Sequence, residues 1–157
     1  MSDERLGILE QRRIEAAFAK GIYEEMAAEL GTERAKAILS RAVVKLAKDT
    51  AAEMAKEGPG GQPSLEHFIA LQPLWTKGDA LQIDTLHKDA TRYDFNVTRC
   101  RYAEMYKAMG IAELGAVLSC NRDGAFCEGY DPKLKLERTQ TIMGGATHCD
   151  FRYRMQE

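Results

Sequence analysis

The stretch Leu81–Cys100, LQIDTLHKDATRYDFNVTRC, decides the fold. Upstream of it apolar residues recur at helical spacing, and within it the period drops to two. Leu81, Ile83 and Thr85 alternate with Gln82 and Asp84; after the turn-like run His87–Ala90, the residues Tyr93, Phe95 and Val97 alternate with Asp94, Asn96 and Thr98. Successive side chains of a strand point to opposite faces, so this pattern predicts a β-hairpin with one apolar face. That face needs a cover, and the preceding chain supplies helices.

Ile14, Phe18, Ile22, Met26 and Leu30 recur at every fourth position, with Glu15, Lys20, Glu24, Glu25 and Glu29 on the other faces. This is the stripe that an amphipathic helix turns toward a core, and Gly31 ends it. Thr32 then caps a second helix that carries Ala35, Ile38, Leu39, Ala42, Val43, Leu46, Thr50 and Met54 on one face as far as Gly58. The two form an antiparallel hairpin. GPGGQP, Gly58–Pro63, breaks the pattern, and Ser64 caps a third helix, LEHFIALQPLW, which Pro73 limits. Beyond Cys100, YAEMYKAMG and IAELGAVLS are helical with Gly110 between them, while KLKLERTQTIM and THCDFRYRM alternate around a GGA turn and predict a second hairpin. The order argues for an α+β fold with an antiparallel sheet, in one domain over residues 1–157: a helical hairpin (1–57), a loop (58–63) and an α+β part that carries the site (64–157).

The 157 residues are 45% apolar and 29% charged with a net charge of -2, and both signs are mixed along the chain. A concentrated basic face for phosphate backbones is missing, which argues against nucleic acid as a partner. No apolar run reaches the ~18 residues that span a bilayer, and MSDERLGILEQRR lacks the basic start and apolar middle of a secretory signal, so a cytoplasmic protein is expected. In such a reducing compartment Cys100, Cys120, Cys127 and Cys149 are expected as free thiols.

Residues that can do chemistry gather at element boundaries of the second half. Arg99 and Cys100 stand where a strand meets a helix; Cys120, Asn121, Arg122 and Asp123 follow a helix as a polar loop; His148 and Cys149 follow the Gly144-Gly145 turn. Imidazole can take a thiol proton and free the thiolate to attack carbon, which makes Cys120, Cys100 and His148 catalytic candidates. Asp123 can orient the imidazole and Asn121 can hold a developing negative charge. On a strand His148 and Cys149 point to opposite faces, so His148 pairs more freely with Cys120 or Cys100. Cys149, in step with Phe151 and Tyr153, is core or part of the substrate wall, and Cys127 is core. Arg99 and Arg122 offer guanidinium forks for a substrate carboxylate, with a salt bridge to Glu104 or Asp123 as the alternative. His148, Cys120, Cys149 and Asp123 match no regular zinc spacing, so neither metal nor other cofactor is expected. The expected partners are a small anionic substrate and, from the long amphipathic helix pair, further copies of the chain, with no membrane.

The run Phe95–Arg154 resembles the L-2-amino-thiazoline-4-carboxylic acid hydrolase family. TRCRYAEMY, LSCNRD and T-x-T-I-M-x-G-A-x-H-C-D-F are the specific blocks. The closing GATHCDF also resembles the end of vinyl-reductase-type small-molecule-binding domains, which implies a related ligand-binding topology. The family resemblance implies hydrolytic opening of a cyclic amidine-like ring: attack at C2, between sulfur and nitrogen, with loss of the ring thiolate gives N-carbamoyl-cysteine. Such a reaction needs a nucleophile, supplied by a cysteine or a His148-activated water; an acid or base, supplied by Asp123; and a cation for the carboxylate, Arg99 or Arg122. A binding or sensor domain without catalysis is the alternative.

Overall fold

The structure is a computed structural model and describes residues 6–157. Helices α1 (Ile8–Leu30) and α2 (Thr32–Ala55) form the expected hairpin and reverse at Gly31, whose φ of 88° costs a residue without Cβ little. Gly31, not the Thr32 side chain, occupies the N-cap of α2.

Helix α3 (Leu65–Ala70) starts on Ser64, whose hydroxyl accepts the His67 N–H at 3.1 Å. Pro73 cannot continue its ladder, so α4 (Pro73–Thr76) is a separate turn. Tyr130 reinforces the cap, donating its hydroxyl to the Ser64 carbonyl at 3.0 Å. Ser64→Ala is expected to cost about 1 kcal/mol, read as a lower urea midpoint at unchanged m. An unchanged midpoint would mean that Tyr130 alone holds the segment.

Strands β1 (Leu81–Lys88) and β2 (Arg92–Cys100) form the expected hairpin and lead into α5 (Arg101–Ala108) and α6 (Ala112–Gly115). A π-helical turn, Ala116–Cys120, joins α6 to α7 (Asn121–Tyr130), and β3 (Leu134–Glu137) and β4 (Cys149–Met155) complete an antiparallel sheet in the order β1-β2-β4-β3. The α+β expectation therefore holds.

The central strands pair Tyr93 with Tyr153, Phe95 with Phe151 and Val97 with Cys149. All six are buried, and the Phe95 and Phe151 rings stack 4.9 Å apart. Ala51 and Ala55 of α2, Leu65 and Phe68 of α3, and Phe126, Cys127 and Tyr130 of α7 close over this face. Alternation sends the intervening residues to the opposite face, where Asp94 is held by Arg92 at 3.0 Å and by Arg154.

Four local expectations change. The Ile14, Phe18, Ile22 stripe of α1 faces outward, with Phe18 75% exposed; Ala16 and Tyr23 face the core instead. On α2 the buried residues are Ala35, Val43, Ala47, Ala51 and Ala55, and Leu46 is exposed. The cause is the crossing with α7 at Gly129, where a Cβ would lie 2.4 Å from the Lys48 carbonyl oxygen and 2.6 Å from its Cα. Helices this close leave room only for small side chains between them. The second hairpin is also not a simple one: β3 stops at Glu137, residues 138–148 leave the sheet, and the chain returns as β4. Finally, LSCNRDG is helical rather than a loop, which orders its polar side chains by helical spacing.

Candidate functional site

Cys120, Asp123 and Cys127 are three and four residues apart, so the helix that begins at the π-helical turn presents them on one side. π-Helical turns recur at functional positions because they reset the facing of the residues that follow. Asn121 and Arg122 are thereby turned elsewhere. Asn121 Nδ2 donates to Ser40 Oγ of α2 at 3.0 Å, while Arg122 donates to the Leu118 carbonyl at 2.6 Å and to Glu15 of α1 at 3.4 Å. Glu15 Oε2 also accepts from Arg12 at 2.8 Å. Burial and the neighbouring Arg12 lower the Arg122 pKa. These two residues tie α7 to the helical hairpin.

Asp123 meets a partner that the strand reading hid. Arg138 Nη1 donates to Asp123 Oδ2 at 2.6 Å, Nη2 donates to the Cys120 carbonyl at 3.3 Å, and the guanidinium carbon lies 5.0 Å from the centre of the Phe151 ring. The signal was present: Leu134, Leu136 and Arg138 are in step, so alternation aims an arginine toward the face that Leu134 buries. Burial pushes the Asp123 pKa up, and Arg138 only partly opposes it. Burial works against the Arg138 charge as well, yet Asp123 keeps its pKa above the ordinary value. Asp123 lies deep among surrounding chain, but 34% of its side-chain surface is accessible, so it borders open space rather than packed atoms.

The thiols gather around this ion pair. Cys100, which ends β2, accepts the Ala103 N–H on its sulfur at 3.5 Å and so caps α5. Cys149 accepts the Ile142 N–H at 3.1 Å. Burial pushes Cys100 up to about 11 and Cys120 up to about 12, with the neighbouring Asp123 carboxylate adding to the rise of Cys120. Cys127 is pushed up to about 12, by burial and then by Asp123. Cys149 is raised by burial too, against the pull of the Ile142 N–H and Arg138. All four are free thiols and, at neutral pH, protonated.

Residues 138–148, of which Arg138 lines the cleft between α2 and α7, are anchored by Asp150 of the H-C-D-F block. The Asp150 carboxylate accepts the backbone N–H groups of Thr139 and Gln140, both at 2.9 Å, and the Thr139 hydroxyl. Met143 sits on Gly115, where a Cβ would come within 2.4 Å of its sulfur. His148 lies just before β4, in a bend outside the strand, so strand alternation does not fix its direction; its ring contacts Gln140 and Thr147, and it makes no hydrogen bond to a thiol among the described residues. Arg99 is engaged by Glu104 through two contacts of 3.1 Å at an exposed position. Of the sequence candidates, then, Cys120 and Asp123 are joined by Arg138, and Cys100 and Cys149 lie close enough to feel the Asp123 charge. Asn121, Arg122, His148 and Arg99 are held by other partners.

A cleft of about 320 Å³ between α2 and α7, lined by Val44, Asn121, Gly124 and Glu128 among others, opens onto Cys120 and Arg138 of this group. No cluster of three or more His, Cys, Asp or Glu side chains with metal-binding geometry occurs among the described residues. No helix among them is long and apolar enough to cross a membrane.

These features define an α+β fold in which a sheet and its helical cover enclose thiols and an Asp123–Arg138 ion pair, with Cys120 and Arg138 at a surface cleft. The chain belongs to the L-2-amino-thiazoline-4-carboxylic acid hydrolase family, whose profile matches residues 11–153. No curated protein matches it. Among solved structures it is similar to the phenol-responsive sensory domain of the transcription activator PoxR with phenol, at a TM-score of 0.55 and 16% identity, over 89% of this chain and 73% of the other. It is also similar to trafficking protein particle complex subunit 3 from Naegleria fowleri covalently bound to palmitic acid, at a TM-score of 0.52 and 13% identity, over 94% of this chain and 96% of the other. At these identities the likeness is one of fold.

Proposed function

We propose that the protein hydrolyses a small cyclic amidine that carries a carboxylate, with Asp123 as the base and Arg138 as the cation for the substrate. The observation that carries this reading is the Asp123–Arg138 pair, 2.6 Å apart, deep in the fold beside the cleft. A zwitterionic ligand presents the complementary charges. Its amidinium facing Asp123 and its carboxylate facing Arg138 replace one internal ion pair by two, and no buried charge is left alone. The substrate in the family name has both groups.

In this reaction a water adds to C2 of the amidinium and gives up a proton to Asp123. The tetrahedral adduct collapses with cleavage of the C2–S bond. The electron pair leaves on sulfur, which takes the proton of the adduct hydroxyl, and the proton on Asp123 passes to solvent. One water is consumed, and a urea and a thiol are formed. A carboxylate whose pKa is raised by burial is a stronger base than an ordinary one and suits this step. The thiols favour water as the nucleophile, because a thiolate would have to form in a buried place beside the Asp123 carboxylate. His148, bonded to Gln140 and Thr147, has no part in the step.

Incubation with 2-amino-thiazoline-4-carboxylate and related cyclic amidines should release a thiol and a urea in equal amounts, detected by thiol titration and mass spectrometry. Cys120→Ala should retain kcat within about tenfold, since it removes a wall and not the attacking group. A loss of about a thousandfold or more, with a trapped covalent adduct in the parent protein, would make Cys120 the nucleophile. The fold shared with a phenol-responsive sensory domain supports a second reading, a domain that holds such a ligand without turnover. Ligand-dependent thermal stabilisation with no product would favour that reading over hydrolysis.

A further inference from the structure

The outward face of α1 carries an apolar stripe that the fold does not cover. Ile14, Phe18 and Ile22 occupy successive turns at 49%, 75% and 44% exposure. Single exposed apolar residues are ordinary, but a continuous stripe over three turns marks an interaction surface. Beside Phe18 lies a shallow trough of about 490 Å³, bounded by Ala17, Gly21, Ile22, Glu25, Met26 and Glu29. At its centre, Gly21 has nothing within 4 Å of the place a Cβ would occupy.

We propose that this face is a two-fold interface with α1 of a second copy of the chain. The protruding ring and the hollow lie about one helical turn apart on the same face. A two-fold axis between them seats each Phe18 over the partner's Gly21, and both contacts form at once, as a self-complementary interface requires. Charge selects the antiparallel arrangement. The C-terminal half of α1 carries Glu24, Glu25 and Glu29 with no base after Lys20, whereas the N-terminal half balances Arg12 and Arg13 against Glu10 and Glu15, with which they pair. Parallel helices would bring the acidic halves of both copies together. Antiparallel helices set the acidic half of each copy against the charge-balanced half of the other, with Glu25 beside the partner's Arg13. The same acidic flank disfavours an anionic membrane as the occupant. A 23-residue helix is about 34 Å long, and one such pair reaches only the lower end of the roughly 1,200 Å² that specific interfaces bury. The dimer is therefore expected to dissociate on dilution.

Sedimentation velocity on the whole protein from about 1 to about 100 µM tests this, because a dimer of this kind obeys mass action. The wild type should shift from monomer to dimer within that range. Gly21→Gln fills the hollow with a polar side chain while improving helix propensity, and Phe18→Glu removes the protruding ring. Both should remain monomeric throughout with unchanged far-UV circular dichroism. A wild type that stays monomeric at the highest concentration overturns the proposal, whether or not it binds lipid vesicles. So does a folded Gly21→Gln or Phe18→Glu protein that dimerises as tightly as the wild type.

Discussion

Asp123→Asn is expected to lower kcat/KM for ring opening by about a hundredfold to ten-thousandfold, the range over which a general base contributes. Asparagine keeps the size of the side chain and an oxygen for Arg138 to bond, so the loss should come without collapse of the site. Near-UV circular dichroism and thermal unfolding would check that. The pH dependence supplies a second readout. The base must be ionised, and burial raises its pKa, so log kcat/KM should fall as pH drops through a value above that of an ordinary aspartate. The residual activity of the variant should lack that limb. Stability should move in the opposite sense. A carboxyl whose folded-state pKa exceeds its unfolded value contributes stability that is fully present below the unfolded pKa, about 3.9, and is lost as pH rises through the folded value. The stability of the wild type relative to Asp123→Asn should therefore rise on acidification and level off below that point. A variant with normal turnover would remove Asp123 from the chemistry.

The second large effect concerns the crossing of α2 and α7. Gly129→Ala replaces glycine inside a helix by the best helix former, a change worth about 1 kcal/mol of gain where space permits. Here the new Cβ would lie 2.4 Å from a carbonyl oxygen and 2.6 Å from a Cα, both backbone atoms of Lys48 that cannot rotate away. The clash should dominate, with a net loss of about 2 kcal/mol or more in chemical denaturation. Because α7 carries Cys120 and Asp123, activity should fall with it. A neutral or stabilising result would mean that the helices cross further apart than these atoms place them.

Much of the fold was legible because it rests on local periodicity. The switch from spacing of three and four to spacing of two at Leu81 located the sheet, and Tyr93, Phe95, Val97, Phe151 and Tyr153 were read on the correct side of it. The alternation assumed for His148 and Cys149 does not apply, because β4 begins only at Cys149. The face of a helix was less legible. Spacing identifies an apolar stripe but not its partner, and α1 has two: the larger side chains point outward while Ala16 and Tyr23 pack. On α2 the same rule favoured Leu46 over the alanines, because the closeness of α7 is set by Gly129, far away in sequence. The candidate site divides in the same way. Cys100, Cys120, Asp123 and Cys149 were found by residue type and position, but Arg138 was read as one more strand residue, since its partner Asp123 lies on another element.

The sequence by itself determined the α+β class, the element order, the family and the thiol-rich pair of segments, all of which are written in local pattern and short motifs. Only the tertiary structure decided that Asp123 meets Arg138, that Arg99, Asn121, Arg122 and His148 are engaged elsewhere, and that α1 turns an apolar face outward. Those facts depend on which distant residue reaches a side chain first, and on how much room the approach of two backbones leaves, neither of which a periodicity contains.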